Sequence, residues 1–485
     1  MIQQSAENGN TQVELNTGFI AAIREMQISK LLHETNIRKE TRTLCGESSG
    51  EKRTAFEIFQ FLLLMIFQGC NLYRFLGSKK QDIACSKSTY QRFLNDVHYN
   101  WKRFITLLAA KVISWLDRLT DPNRFKAFVL DDSFVGRKRS KKVELMAWVF
   151  DHVSGKKLRG FNLLTLGWTD GFSFIPVAFN MLSSAKAARR IIDIKEGIDK
   201  RTNGYKNRMA AIVQKPDAAI TMIKAALETG IEAGYVLMDT WFTNEPFINQ
   251  IKGLGLEVIG MLKDNKQLYH YHGKLLNLTT IAAHHVRFNT RQDCLGSIVV
   301  YTRYHRIPVK LVFVRNKNKR DEYLIILSTD CSLSDEEIVR RYGYRWSIEC
   351  CFKVSKSLLK LGKEFQPVNY DATVSSTALV FTRFIILEWM RRKENDVRTL
   401  GELFYATFDE VRDIELMDAL GDLLSILAEG LNSGDVTMGE RTRKELLQWY
   451  VTQPAFIRSI CEQSMRDAGI LQELDHNSDG LSMPA

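Results

Sequence analysis

Residues 334–362 (SDEEIVRRYGYRWSIECCFKVSKSLLKLG) have the pattern of one amphipathic helix, and they constrain the fold more than any other stretch. Ser334 followed three residues later by Glu337 is the pattern of a capping box, and Gly362 is a suitable C-terminal stop. At about 100° per residue, four side chains of this helix share one face: Tyr342, Arg345, Glu349 and Lys356. A carboxylate flanked by two cations and a phenol is unsuited to a core. The face therefore predicts either a solvated surface or a metal-bound acid beside phosphate-binding groups.

The spacing of these four residues has a precedent. Tyr342-x2-Arg345-x3-Glu349-x6-Lys356 matches the signature Y-x2-R-x3-E-x6-K, so the chain resembles the cut-and-paste insertion-sequence transposases of the DDE class. This resemblance implies that Glu349 is the last of three catalytic acids. It also implies two earlier acids, each at or just beyond the end of a buried strand.

Two apolar stretches supply such acids. Residues 128–132 (FVLDD) are followed by Ser133, and residues 235–239 (YVLMD) are followed by Thr240. We predict Asp132 and Asp239 as the first and second acids. Successive side chains of a strand point to opposite faces, so only one of Asp131 and Asp132 can face the site, and the match between the two acid-hydroxyl pairs favours Asp132.

The order of elements around these acids, together with the resemblance, predicts an α/β fold with a ribonuclease-H-like catalytic core. Strand patterns occupy residues 125–130, 144–152, 158–167 and 172–179, and a helix over residues 216–229 leads to the second acid strand. Residues 186–208 have the pattern of a basic helix followed by a loop at Asn203-Gly204. Strand patterns at residues 258–262, 296–304, 308–315 and 323–327 predict a β insertion between the second and third acids.

Three regions follow from this order. Residues 1–120 have helical patterns and are expected to bind the DNA ends, with Ser88 as an N-cap and with Tyr90 and Arg92 exposed on a helix over residues 85–94. Residues 121–370 are expected to form the catalytic domain, with the insertion at about 255–330. Residues 371–485 are expected to be helical and to support dimerisation, with a disordered tail from about residue 476.

The distribution of charge favours a polyanionic partner. Residues 1–363 carry 56 Lys and Arg against 35 Asp and Glu, whereas the remaining residues are acidic. Five of these cations fall within seven residues of the loop after the first acid. We expect them to contact DNA phosphates: Arg137, Lys138, Arg139, Lys141 and Lys142.

The composition also argues against other kinds of site and location. The eight cysteines contain no C-x-x-C pair and the nine histidines no H-E-x-x-H motif, so neither a zinc site nor a disulfide framework is indicated. The polar N-terminus has no secretory h-region, and the longest apolar stretch, residues 58–67, is too short for a membrane span. We therefore expect a cytoplasmic, nucleoid-associated protein of a bacterial-type cell, without membrane partners.

The resemblance implies a specific chemistry. Asp132, Asp239 and Glu349 would bind two Mg²⁺ or Mn²⁺ ions, which catalyse in-line displacement at phosphorus. Arg345, Lys356 and Tyr342 would hold phosphates near the scissile bond. The substrate would be double-stranded DNA, both the terminal repeats of the element and the target, bound by a homodimer.

Three alternatives remain open at this point. A ribonuclease-H-like nuclease would share the acids but would lack strand transfer. A DNA-binding regulator derived from a transposase would keep the fold, although such a protein usually loses one acid. A metal-free hydrolase with paired carboxylates, such as a glycosidase, would not need the basic segment.

Overall fold

The structure is a computed structural model. It describes residues 18–38, 41–42, 52–77, 85–121, 123–151, 154–263, 267–288, 293–319, 321–393, 396–412, 420, 423, 438–453, 457–458 and 461. The chain divides into two compact units, one of residues 1–21, 40–92 and 402–485, and one of residues 22–39 and 93–401. The second unit contains all of the predicted site residues.

The helices lie mainly before and after the strands. Those of the described residues are α1 (Gly18–Glu25), α2 (Ile28–Glu34), α3 (Ala55–Leu64), α4 (Leu72–Leu76), α5 (Lys87–Leu94), α6 (Trp101–Leu119), α7 (Asn203–Ala211), α8 (Lys215–Glu228), α9 (Glu245–Lys252), α10 (Leu278–His285), α11 (Asp335–Gly343), α12 (Trp346–Ser357), α13 (Tyr370–Lys393), α14 (Leu400–Arg412) and α15 (Met438–Thr452). Short 3₁₀ helices occupy Met65–Gln68 and Ala187–Arg189.

The strands are concentrated in the second unit. They are β1 (Thr41–Arg42), β2 (Lys52–Arg53), β3 (Ala127–Gly136), β4 (Ala147–Asp151), β5 (Lys156–Thr169), β6 (Phe174–Leu182), β7 (Tyr235–Met238), β8 (Glu257–Leu262), β9 (Leu268–Tyr271), β10 (Lys274–Asn277), β11 (Cys294–Thr302), β12 (Pro308–Arg315) and β13 (Tyr323–Ser328). Strands β3 to β13 form one sheet in the order β10-β9-β11-β12-β13-β8-β7-β3-β5-β4, with β6 also paired to β5.

The centre of this sheet positions the predicted acids. β3 and β7 are parallel, with Leu130 opposite Met238, and β7 is parallel to β8. Parallel neighbours require crossover connections, which α8 and α9 provide. On its other side β3 pairs antiparallel with β5. The acids that follow Leu130 and Met238 therefore come from adjacent strands that run in the same direction.

The first acid strand is longer than the sequence predicts. Its apolar half, through Leu130, is fully buried, but the ladder with β5 continues through Asp131 and Asp132 to Gly136. The prediction that the strand ends at the acids is therefore wrong for β3. It holds for β7, which ends at Met238, directly before Asp239.

The predicted single helix over residues 334–362 is two helices. Ser334 caps α11, since its hydroxyl accepts from Glu337 N at 3.1 Å, but the Glu337 carboxylate pairs with Arg340 and Arg341. Between α11 and α12, Tyr344 and Arg345 keep helical dihedrals while their amides bond to carbonyls three residues back, the tighter 3₁₀ pattern. Gly343, a weak helix former, precedes this junction.

Two predictions about basic segments are wrong. The segment from 186 to 201 contains only the Ala187–Arg189 3₁₀ turn, and Asn203 and Gly204 begin α7 instead of forming a loop. In α5 the helix begins at Lys87, before Ser88. Tyr90 is 1% exposed, and its hydroxyl accepts a hydrogen bond from Cys85 N, so it cannot serve as an exposed recognition residue.

The strand-rich segment after the second acid contains all four predicted strands, and also β9 and β10. These strands extend the central sheet beyond β8.

The core of the second unit includes a long apolar helix. α13 is long and apolar enough to span a membrane, but 94% of its most apolar window is buried inside the protein, as in a core helix. The acidic C-terminal quarter includes a segment at 394–429, of which residues 396–412 are described and contain α14. Most of residues 413–429, and all of the predicted tail from 476, lie outside the described residues.

Candidate active site

The two aspartates of β3 have different partners. Asp131 accepts a hydrogen bond from Arg345 Nη1 at 3.2 Å, whereas Asp132 Oδ1 lies 2.7 Å from Lys215 Nζ. α12, which follows Arg345, packs against β3, and α8, which begins at Lys215, packs against β5 and β6. The alternation of the strand thus directs the two carboxylates to cations from different helices.

Asp239 lies directly after β7, within the electrostatic reach of both aspartates. Its Oδ1 accepts from Trp241 N at 3.1 Å and from Phe242 N at 3.4 Å. Burial raises the pKa of Asp239, and the negative charge of Asp132 raises it further. Burial and the charge of Asp239 in turn raise the pKa of Asp131 to about 7. The carboxylates therefore crowd one another at this edge of the two strands.

Glu349, the third predicted acid, is connected to β3 through Arg345. The guanidinium group of Arg345 binds Asp131 through Nη1 and the Glu349 carboxylate through Nη2. Arg345 is therefore a bridge between β3 and α12, joining residues more than 200 positions apart in the chain. Glu349 remains about one-third exposed, so solvent can reach it.

Of the other two residues of the signature, Lys356 contacts β3 and Tyr342 lies beside Arg345. Lys356 Nζ donates to Ser133 Oγ at 2.7 Å, and burial lowers the pKa of Lys356. The Arg345 guanidinium lies 5.7 Å from the centroid of the Tyr342 ring, and burial raises the pKa of Tyr342. The structure thus brings Tyr342, Arg345, Glu349 and Lys356 together despite the junction between α11 and α12.

Sequence reasoning missed Lys215. Besides pairing with Asp132, its ammonium group lies 4.2 Å from the centroid of the Trp241 ring. One local signal was present: Lys215 is the first residue of α8, where the helix dipole disfavours a cation. A lysine in that position needs a compensating partner, and Asp132 supplies it.

The basic loop after β3 contains two kinds of cation. Arg137 is 7% exposed, and its Nη1 donates to the carbonyls of Gly362 and Phe365 at 2.8 and 3.3 Å. It holds the chain that follows α12. The other four side chains are exposed: Lys138, Arg139, Lys141 and Lys142.

Three residues are predicted to bind the metal ions: Asp132, Asp239 and Glu349. Among the described residues, no group of three or more His, Cys, Asp or Glu is preassembled to hold a metal ion. The chemistry of the site nevertheless suits a divalent cation, because the donors are hard oxygens and because burial and the negative charge of Asp132 raise the pKa of Asp239. Lys215 and Arg345 supply the neutralising charge.

Two protein-family models match the chain. Residues 52–278, which include Asp132 and Asp239, match the model described as DDE superfamily endonuclease. Residues 207–372, which include Asp239 and Glu349, match the model described as Transposase DDE domain. The comparison with curated proteins gives no match. Each match covers less than half of the chain, and the parts matched are similar to DDE endonuclease and DDE transposase domains.

Proposed function

We propose that this protein is a cut-and-paste DDE transposase that cleaves DNA at the ends of an insertion sequence and joins the 3′-hydroxyl ends to target DNA. The observation that carries the proposal is the Arg345 bridge, in which one guanidinium group binds both Glu349 of α12 and Asp131 of β3. The family matches and the Y-x2-R-x3-E-x6-K spacing support it.

The proposed fold of the catalytic domain is ribonuclease-H-like. Its support is the arrangement around β3, which has the antiparallel β5 and β6 on one side and the parallel β7 on the other. In this proposal β8 to β13, within about residues 255–330, belong to an insertion between the second and third acids. Residues 121–370 form the catalytic domain, and residues 1–120 bind the DNA ends.

Asp132, Asp239 and Glu349 are proposed to hold two Mg²⁺ or Mn²⁺ ions. When bound, these ions lower the barrier to in-line displacement by polarising the nucleophilic and leaving oxygens. Lys215 at Asp132 and Arg345 at Glu349 would compete with the ions for these carboxylates. Asp131 remains the competing candidate for the first acid, because it is the aspartate bound to Arg345.

The cations of the site are proposed to position the DNA. Arg345 and Lys356 hold phosphates on either side of Glu349, and Tyr342 adds a hydrogen bond. The exposed loop cations extend the phosphate contacts along the duplex: Lys138, Arg139, Lys141 and Lys142. Arg137 has a supporting role in this scheme, since its guanidinium group binds backbone carbonyls. Two copies of the chain are expected to act together, one at each end of the element.

A cleavage and joining assay tests the proposal. A linear DNA that carries the element's own terminal repeats is incubated with the protein, with and without Mg²⁺, in the presence of a supercoiled target plasmid. We expect Mg²⁺-dependent cleavage at the repeat and a joined product with the plasmid. Cleavage without joining would favour a ribonuclease-H-like nuclease. Repeat binding without any cleavage would favour a DNA-binding regulator.

A further inference from the structure

An aromatic patch on the sheet has no role in the scheme above. Strand β4 lies at the end of the sheet, and the alternation along it exposes two large apolar side chains, Trp148 at 52% and Phe150 at 47%. End strands of sheets usually carry charged or otherwise protective side chains, because exposed apolar edges promote association. Two exposed aromatic rings at this place therefore suggest a binding surface.

Each ring has a cation directly opposite on the neighbouring strand. In the β4–β5 ladder Trp148 pairs with Arg159 and Phe150 pairs with Lys157. The Arg159 guanidinium lies 5.9 Å from the centroid of the Trp148 ring, and its Nη2 donates to the Lys138 carbonyl at 2.7 Å. The patch, defined as Trp148, Phe150, Lys157 and Arg159, is thus tied to the exposed basic loop.

The register relates this patch to the candidate active site. β5 is continuous from Lys157 to Thr165, and β3 pairs with it so that Ser133 faces Leu163 and Asp131 faces Thr165. Because alternate residues of a strand share a face, the patch lies on the same face of the sheet as Asp131 and Ser133. This is the face that Arg345 and Lys356 of the candidate site contact. Six residues of β5 separate Arg159 from Thr165, or about 20 Å, equivalent to about six base steps of DNA.

We propose that the patch binds unpaired bases of DNA that is held in the active site. This inference rests on the proposed function, in which the substrate is DNA. Aromatic rings beside cations are the means by which proteins bind single strands, and stacking contributes about 1–3 kcal/mol per base. In an intact duplex the base faces are covered, so the ligand has to be a single-stranded stretch that flanks the cut. A protein ligand fits less well, because lysine is depleted from the cores of protein interfaces.

The test compares two fluorescently labelled DNAs in binding titrations with the full chain. One is a blunt duplex that ends at the cleavage position, and the other has the same duplex with a ten-nucleotide single-stranded extension. We expect the extension to tighten binding by the parent chain. Trp148→Ala should weaken binding of the extended DNA by about 5- to 150-fold and leave binding of the blunt duplex unchanged. Trp148→Phe should retain most of the affinity for the extended DNA. Phe172→Ala, which removes another exposed ring of the same unit, is the matched control and should bind like the parent.

Several outcomes would overturn the inference. They are an extension that adds no affinity, a Trp148→Ala variant that binds the extended DNA as tightly as the parent, and an equal loss on both DNAs. A Trp148→Ala variant whose only defect is weaker self-association in sedimentation would assign the patch to a protein interface instead. If the protein cleaves DNA normally but gives any of these results, this inference is wrong and the transposase proposal stands. If the protein does not cleave DNA, yet the extension tightens binding in a way that depends on Trp148, the transposase proposal is wrong and this inference stands.

Discussion

Lys215 and Asp132 form an ion pair in the candidate active site, with 2.7 Å between Nζ and Oδ1. Both side chains are largely buried, at 14% and 15% exposure. The first predicted acid therefore already has a counter-ion from the protein. A divalent ion that binds Asp132 competes with the ammonium group for this carboxylate, so Lys215 connects the stability of the metal-free site to its affinity for metal.

Replacement of Lys215 tests this competition. In EDTA, Lys215→Met should destabilise the protein by about 1–3 kcal/mol, because it leaves a buried carboxylate without a partner. The rise in melting temperature on addition of Mn²⁺ should be larger than in the parent, because no ammonium group competes for Asp132. Thermal unfolding with and without Mn²⁺ measures both effects. Lys224→Met, at an exposed position of α8, serves as control, and an equal Mn²⁺ response in parent and Lys215→Met would disprove the competition.

The choice between the two aspartates of β3 has a direct test. We expect Asp132→Ala to abolish cleavage and Asp131→Ala to reduce it, since the second change removes a partner of Arg345. Cleavage of an end-containing DNA in Mg²⁺, normalised to binding of that DNA, is the measurement. If Asp131→Ala is inactive while Asp132→Ala still cleaves, the first acid is Asp131.

The raised pKa of Asp131 predicts a pH dependence of stability in the metal-free protein. The folded state holds the proton of Asp131 up to a pH of about 7, whereas the unfolded chain releases it near 3.8. The associated stability is thus complete below about pH 4 and is lost as the pH rises toward 7. Melting temperatures in EDTA between pH 5 and 8 should fall with pH, and Asp131→Asn should flatten the curve. Asp321→Asn, at an exposed site, should leave the slope of melting temperature against pH unchanged. If Asp131→Asn has the same slope as the parent, Asp131 is not the source of the pH dependence.

The basic loop offers a matched pair of variants. Arg137→Ala should lower the free energy of unfolding by about 1–3 kcal/mol, because two carbonyls lose a buried donor. Lys138→Ala should leave stability unchanged and should weaken DNA binding, with a salt dependence flatter by about one unit of slope. Denaturant unfolding and binding titrations at several salt concentrations separate the two effects. Equal losses of stability in both variants would contradict the assignment of Arg137 to stability and of Lys138 to DNA binding.

The sequence predicts the parts of this site that depend on local patterns. Asp239 follows a short apolar strand as expected. The fixed spacing from Tyr342 to Lys356 identifies the two cations that contact β3, Arg345 and Lys356. The limits of β3 could not be predicted in the same way, because the ladder that carries it beyond Asp132 depends on pairing with β5.

The features that sequence reasoning missed depend on distant contacts. The partner of Lys215 lies 83 residues away, and Arg137 binds carbonyls that follow α12. Tyr90 has the local pattern of a surface aromatic, yet its ring is stacked on that of Phe61, with 4.9 Å between the ring centroids. A cation at a helix start, such as Lys215, is a signal for such contacts because it needs a compensating charge.

The last prediction separates phosphate binding from metal binding on α12. Arg345→Ala and Lys356→Ala should weaken end binding and flatten its salt dependence by about one unit for each lost phosphate contact. Neither variant should lose Mn²⁺ affinity, and Arg345→Ala should gain it, because the guanidinium group no longer competes for Glu349. Glu349→Ala should lose metal-dependent cleavage, while end binding stays the same or improves slightly because a negative charge has left the site. Lys353→Ala, an exposed lysine of the same helix, controls for a general loss of charge. Binding titrations across salt concentrations and Mn²⁺ titrations followed by thermal unfolding give the two readouts. An equal loss of Mn²⁺ affinity in all three variants, with unchanged salt slopes, would show that these residues do not divide the two tasks.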